Sequence, residues 1–356
     1  MTNQKNIAIL CNYELLPERI GGMDYFFWMF DEKCKENGIQ VDWFFPNQSS
    51  HGNYSRLTIH ASNYENVEKH FYSYCLDNNR KYSVVVTHFI ELCTPIFKKI
   101  KEVTNAKIIA VDHNPRPTEG YPLKKKFEKR IKGILFSRYI DLFVGVSKYS
   151  KSELIKEFGT QIRKKSIVVF NGLEISKFKN KKFFNSTNQF IVASHLRKDK
   201  GIQDLILAVN DLKSFDFTID IYGQGYFEGE LKKMIQDFGL QIFFNFKGSV
   251  SNLNEIYCHY DYLIHPSHGE TFCYTVVESM LSNLPVITTR NQGNVLGLIV
   301  ENINGFLFEE KNIVELKGIL ENILSGKSQI LENPTNIKLQ SFTLEKMVNN
   351  YLELIL

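Results

Sequence analysis

Short runs of β-branched and aromatic residues recur along this chain, separated by longer stretches with a helical rhythm. In the first half the runs are Ile7–Cys11, Val41–Phe45, Ser83–Thr87, Lys107–Asp112, Leu142–Val146 and Ile167–Phe170. Amphipathic segments lie between most of them, among them Tyr25–Asn37, Val67–Asn79 and Lys148–Phe158. Strands that alternate with helices predict βαβ units around a parallel sheet. A parallel strand covered on both faces reads as an unbroken apolar run, and Ser83-Val84-Val85-Val86 reads that way.

The pattern then restarts. The turn dipeptide Asn171-Gly172 is followed by a polar stretch, Glu174 to Asn188, rich in Lys and Asn, which is the strongest linker candidate. Beyond it come the strands Phe190–Ala193, Phe217–Tyr222, Ile242–Phe246, Tyr262–His265, Val286–Thr289 and Gly305–Phe308. Helices fit at Gly201–Asp211, Glu228–Phe238, Leu253–Tyr260 and Thr275–Ser282. The expectation is an α/β protein of two Rossmann-like, doubly wound domains, residues 1–172 and 173–342, facing each other across a cleft. A closing helix over 343–356, with apolar Leu344, Met347, Tyr351, Leu354 and Ile355 in register, is expected to pack back on the first domain. Ligands of such sheets sit beyond the carboxyl ends of the strands.

Composition narrows the class. With 356 residues, 43% of them hydrophobic and 23% charged, the chain has material for two cores, which excludes disorder as its main state. No apolar run approaches the roughly 20 residues of a membrane-spanning helix. The first run, Ile7–Cys11, is too short for a signal-peptide core and lacks a small-residue cleavage site after it, so a cytoplasmic location is expected. A net charge of +4 gives no argument for nucleic-acid binding, but its distribution is uneven. Residues 1–175 hold 26 Lys and Arg against 19 Asp and Glu, while residues 176–356 hold 17 against 20. The basic stretches Lys124–Lys132 and Arg163-Lys164-Lys165 are suited to phosphates or an anionic membrane surface, or are simply solvated helix faces. The six cysteines form no C-x-x-C pair and several sit in apolar runs, so they read as reduced core residues.

The richest stretch for chemistry runs from His265 to Glu278, from the end of a strand through a small polar loop into a helix. Glu270 falls in the loop and Glu278, about two turns further on, within the helix. The amides from Phe272 to Thr275 lie at the helix N-terminus, where they can receive an anion such as phosphate. A phosphate receptor flanked by two carboxylates that accept hydroxyls suits a sugar nucleotide. Gly223-Gln224-Gly225, followed by Gly229, imitates a dinucleotide fingerprint, but its third Gly falls one residue late; glycines that let the chain turn from strand to helix are the competing reading.

Glu-x7-Glu after Pro266-Ser267, with Leu284-Pro285-Val286-Ile287 following, resembles the retaining GT-B glycosyltransferases of the GT4 type, the large family of glycosyl transferases group 1. The resemblance continues in Pro17-Glu18-Arg19-Ile20-Gly21-Gly22, Val111-Asp112-His113, Val146-Ser147-Lys148 and Val168 to Glu174. In the second half it includes His195 to Gly201, Tyr222-Gly223-Gln224-Gly225 and Phe246 to Val250. The resemblance implies that Glu278 binds ribose hydroxyls and Glu270 hydroxyls of the donor sugar. Lys200 with a second basic group would neutralise the diphosphate, and the amides of Phe272, Cys273 and Tyr274 would hold its distal phosphate. Gly223, Gly248 and Val250 belong to the donor pocket, the last two at the base. Gly21 and Gly22 would let the first loop approach phosphates and acceptor, and His113 would face the transferred sugar and the incoming acceptor.

The implied reaction is retaining transfer of a hexosyl or N-acetylhexosaminyl group from a nucleoside-diphosphate sugar, with UDP the favoured carrier, to a saccharide or lipid-linked saccharide. Cell-surface polysaccharide or glycoconjugate synthesis is the expected setting, at the inner face of the membrane. No metal or other cofactor is expected, because two basic groups replace a divalent ion and no dense Asp cluster is present. Three departures stand out: His195 fills a slot usually held by Arg, so either His195 or Arg197 serves the diphosphate; Thr271 and Cys273 replace usual glycines; and Asn114 follows His113 where Asp is common. Phe26-Phe27-Trp28 offers an apolar lip for a lipid-linked acceptor. A sugar-nucleotide epimerase on the same fold and a non-catalytic partner of a transferase are the alternatives.

Overall fold

The computed structural model describes residues 5–17, 20–117, 119–182, 187–330 and 337–356; Glu18 and Arg19 of the first glycine loop, and residues 183–186 of the expected linker, lie outside them. The chain forms two compact units, residues 1–114 with 119–173 and 341–356, and residues 115–118 with 174–340.

The first unit runs β1 (Lys5–Cys11), α1 (Gly22–Glu36), β2 (Ile39–Phe45), β3 (Thr58–Ala61), α2 (Val67–Asn78), β4 (Val84–His88), α3 (Pro95–Thr104), β5 (Lys107–Asp112), α4 (Leu123–Phe136), β6 (Leu142–Gly145), α5 (Lys148–Phe158) and β7 (Ser166–Val168). Its sheet has the order β3-β2-β1-β4-β5-β6-β7, and the registered pairs are all parallel. The strands inside it are apolar from end to end: β4 is buried at all five positions. Strand β3 was not anticipated, because Thr58-Ile59-His60-Ala61 is an edge strand with polar positions and no apolar run. Strand β7 starts and ends earlier than the expected Ile167–Phe170.

The second unit continues with β8 (Gln189–Ala193), α6 (Ile202–Val209), β9 (Thr218–Tyr222), α7 (Glu228–Asp237), β10 (Phe244–Gly248), α8 (Leu253–Ile256), β11 (Tyr262–His265), α9 (Tyr274–Leu281), β12 (Val286–Thr289), α10 (Gln292–Val295), β13 (Gly305–Phe308) and α11 (Ile313–Leu324). The order is β10-β9-β8-β11-β12-β13, again with parallel pairing. The helix expected over Leu253–Tyr260 stops at Ile256 and tightens into a 3-10 turn over Tyr257–His259. Strand β10 lies two residues further on than expected, since Ile242 is 79% exposed and belongs to the turn before it.

Both sheets reverse direction of winding once, between β1 and β4 and between β8 and β11. At such a switch point the loops after two neighbouring strands diverge and leave a crevice. The last helix, α12 (Leu344–Ile355), lies in the first unit against α1. Tyr351 meets Phe26 at 5.0 Å and Phe30 at 6.3 Å between ring centroids. That packing corrects one expectation: Phe26 and Phe27 are core residues, 1% and 0% exposed, and form no lip. The cysteines are free, all buried except the half-buried Cys258. Among the described residues, no helix is long and apolar enough to cross a membrane.

Candidate functional site

In the second unit the switch point opens into a cavity of about 350 Å³. Its wall comes from the ends of β8, β9, β10 and β11, from the 3-10 turn Lys198–Lys200, and from the first turns of α9. The loop from His265 to Cys273 is tied down from below: Thr288 donates to the His265 carbonyl at 2.9 Å, and Thr289 and Asn294 donate to the Ser267 carbonyl at 2.8 and 2.9 Å. Gly293 is tight against it, because a Cβ there would sit 1.6 Å from the Glu270 carbonyl oxygen. From the side, the His268 ring meets Asp204 of α6 at 2.6 Å.

Glu270 is thereby aimed at Lys200, whose ammonium donates to its Oε1. Both side chains are largely buried, 17% and 9% exposed, so the pair is poorly screened. Burial alone would push the Glu270 carboxyl up; the neighbouring His265 and the Lys200 charge outweigh it and bring the group to about 2. His265, at the end of β11, lies 3.6 Å from Glu270 and is held below its usual value by burial, against the pull of Glu270. Its Nε2 is also 3.2 Å from the Cys273 sulfur. Among the described residues, His265, Glu270 and Cys273 are the three whose ligand atoms cluster closely enough for a metal ion, within 4.8 Å of one another. As built, the group suits an ammonium: burial first, then the Glu270 charge, raises the Cys273 thiol, and Lys200 already meets the carboxylate.

Cys273 is the N-cap of α9, and it supplies a thiol where a hydroxyl or carboxylate normally accepts from the first-turn amides. The helix N-terminus with its positive dipole end faces the cavity through Cys273, Tyr274 and Thr275. The Cys273 amide, expected on a phosphate, instead donates to the Gly293 carbonyl at 3.2 Å because Gly293 packs beneath the loop. One turn on, Glu278 accepts a hydrogen bond of 2.8 Å from Tyr257, whose ring is fully buried. Burial raises the Glu278 carboxyl, and the Tyr257 bond only partly offsets it. Across the cavity Gly223 donates to the Gly248 carbonyl at 2.8 Å. Gly223 has φ +124°, and a Cβ there would fall 1.9 Å from the Ser194 carbonyl oxygen, so only glycine lets β9 end beside β8 in this way.

Of the residues expected at the donor site, His195, Lys200, Gly223, Val250, Glu270, Phe272, Cys273, Tyr274 and Glu278 line this one cavity. Gly248 closes β10 immediately before its lining residues Ser249 and Val250. Arg197 is absent from the lining, and its guanidinium pairs with Asp199 at 2.9 Å. Tyr222 and His265, which open two of the stretches singled out above but carried no expected role, also line it, as does Tyr257, which was not anticipated because nothing in its local sequence distinguishes it from a core aromatic.

His113, Gly21 and Gly22 belong to the first unit. Gly21 is the N-cap of α1 and Gly22 its first residue; the Gly21 amide donates to buried Asp24 at 2.9 Å, as does the Tyr13 hydroxyl at 3.1 Å. His113 follows β5, is 8% exposed, and its Nε2 lies 2.9 Å from Nδ1 of His88 at the end of β4. Its ring stacks on Phe89 at 4.1 Å between centroids. Burial lowers both histidines, His88 to about 3 and His113 well below its ordinary value, so the pair is neutral and shares one proton between facing nitrogens.

Two parallel, doubly wound Rossmann-like units of this kind make the chain a protein of the GT-B fold. Residues 174–339, which fall within the second unit, match the family model described as glycosyl transferases group 1. The GtfA subunit of a UDP-N-acetylglucosamine–peptide N-acetylglucosaminyltransferase from Streptococcus gordonii is 31% identical over 145 residues, 39% of this chain and 28% of the relative. The chain spans between 20% and 50% of the length of the curated relatives it matches. Similar solved structures include Anabaena Alr3699/HepE in complex with UDP and glucose, with a TM-score of 0.73 at 18% identity over 99% of both chains. Sucrose-phosphate synthase from Thermosynechococcus elongatus gives 0.74 at 14% identity over 98% of both.

Proposed function

We propose that the protein is a retaining glycosyltransferase that moves a hexosyl or N-acetylhexosaminyl group from a UDP-sugar to a saccharide acceptor, free or lipid-linked. The observation that carries this reading is the single cavity that gathers Glu270, Lys200, Glu278 and the N-terminus of α9. Its parts match the parts of a sugar nucleotide. Glu278 has its second oxygen for ribose hydroxyls beside the one Tyr257 holds. Lys200 and the α9 amides supply positive charge for the diphosphate, and Glu270 takes hydroxyls of the sugar. Val250 and the chain near Gly248 border the base. The relative's UDP-N-acetylglucosamine and the UDP and glucose bound to the structural neighbour support a UDP-sugar as donor.

Transfer develops negative charge on the departing diphosphate. A fixed ammonium and oriented amides stabilise that charge more in the transition state than in the bound donor, which is the condition for catalysis. Lys200 fills this role without a divalent metal, and His195 adds a hydrogen bond at the cavity wall. On the acceptor side, the neutral His113 would hold a hydroxyl of the transferred sugar or the acceptor.

Calorimetry with UDP, then UDP release from UDP-glucose and UDP-N-acetylglucosamine with saccharide acceptors, tests the reading. The expected result is UDP binding, and turnover with one donor giving a product of unchanged anomeric configuration by NMR. Absence of UDP binding overturns the donor assignment; an epimerised donor in the absence of acceptor overturns transfer.

A further inference from the structure

Helix α4 is inside out. Its apolar residues Leu123, Phe127, Ile131, Ile134 and Leu135 are 83%, 69%, 40%, 63% and 49% exposed, while its protein-facing side is built from Gly133, Lys129 and, at its last turn, Phe136. Gly133 is pressed against α5, where a Cβ would lie 2.0 Å from the Phe158 carbonyl oxygen. Lys129 pairs there with Glu157 at 2.9 Å, both largely buried. At 3.6 residues per turn the five exposed apolar positions fall within an arc of about 120°, a continuous stripe along the helix rather than scattered surface residues.

The stripe has charged borders of one sign. Residues 123–136 hold six Lys and Arg against one Glu. That Glu128 is bound by Lys125 and Lys132, the lysines turned away from the stripe. Exposed Lys126 and Arg130 flank it on one edge, and exposed Lys124 lies at the other, between Ile131 and Leu135 around the helix. Among the described residues none of these three forms an ion pair; Arg130 donates only to the Lys156 backbone carbonyl. An apolar ridge between uncompensated cations is the arrangement of a helix that lies in a bilayer interface, its hydrocarbon side among acyl chains and its long basic side chains reaching up to phosphates. A two-fold contact with a second copy would set the same cations face to face, which like-charge repulsion opposes.

We infer that α4 docks the first unit on an anionic lipid membrane, with Phe127 and Ile134 inserted and Lys124, Lys126 and Arg130 on lipid phosphates. The inference goes beyond the donor chemistry and is independent of it. The test is co-sedimentation of the full chain with phosphatidylcholine vesicles, with and without phosphatidylglycerol, at low and high salt. The expected result is binding to the anionic vesicles only, weakened by salt. The double substitution Phe127→Ser with Ile134→Ser should lower the partition coefficient by roughly tenfold or more, and Lys126→Glu with Arg130→Glu should do the same. Both pairs are on the surface, so an unchanged melting temperature and unchanged UDP binding certify the fold. Wild-type protein that ignores anionic vesicles overturns the inference. So does unchanged vesicle binding by the Phe127→Ser, Ile134→Ser protein. A wild-type dimer that this variant converts to monomer, without vesicle binding by either, assigns the stripe to self-association and overturns it as well.

Discussion

At the scale of residues, the decisive object is the Lys200–Glu270 pair, in which each partner makes the other tolerable in a buried place. Lys200→Ala leaves the carboxylate unpaired, and a loss of about 1–3 kcal/mol in stability is expected with a large loss of turnover. Adding Glu270→Gln to that variant should restore much of the stability but none of the turnover; thermal denaturation beside UDP-release kinetics reads the two apart. The Glu270 carboxyl, depressed from 4.5 to about 2, contributes stability that is complete above its unfolded value and lost as pH falls through about 2. Glu278 is shifted the other way, upward from 4.5. Its proton therefore returns at a higher pH than an ordinary Glu, and UDP affinity should fall on acidification with a midpoint above that value. Glu278→Gln should weaken UDP by about ten- to a hundredfold and flatten this acid limb, as measured by calorimetry across pH. A limb that persists in the variant would assign it to another group.

The elements matter through where their ends meet. β8, β9 and β11 end side by side at the switch point, and glycines permit the approach: Gly223 beside Ser194, and Gly293 beneath Glu270. Gly293→Ala places a methyl carbon 1.6 Å from the Glu270 carbonyl oxygen, so the loop must move. The expected outcome is a loss of about 1–3 kcal/mol in stability together with weakened UDP binding, although Gly293 is not itself a cavity residue. Calorimetry and melting of this single variant check it; wild-type affinity would show that the loop before α9 adapts freely. The same loop explains why His268 matters. It anchors the turn to Asp204 of α6, an attachment between residues 64 apart in sequence that no local pattern announces.

Across the whole molecule, the chain returns at its end to the unit in which it began. Strand-like pairing of Leu173 with Thr343 brings the chain back, and α12 then covers α1 through Tyr351. Tyr351→Ala should cost about 3–5 kcal/mol, as for other large aromatic truncations in a core. Hydrogen exchange should place the loss in α1 and its neighbours in the first unit. Saturating UDP, at about a hundred times its dissociation constant, should add about 2.7 kcal/mol, with protection at residues 193–196, 222–225 and 270–278 of the second unit.

The sequence by itself determined the alternation of strand and helix, and with it the two doubly wound sheets, because buried parallel strands must be apolar along their length and only a few residue patterns meet that demand. It also marked the stretch from His265 to Glu278, where glycine, small polar residues and two carboxylates cluster in one short segment. Tertiary structure alone decided which groups of distant sequence share a cavity: Tyr257 on Glu278, His265 on Glu270, His88 on His113. It turned Arg197 to Asp199, sank Phe26 and Phe27 into a core, and left the apolar side of α4 facing outward. Helical periodicity reports that a face is apolar; which way that face points depends on what packs behind it, here a glycine and a buried lysine against α5.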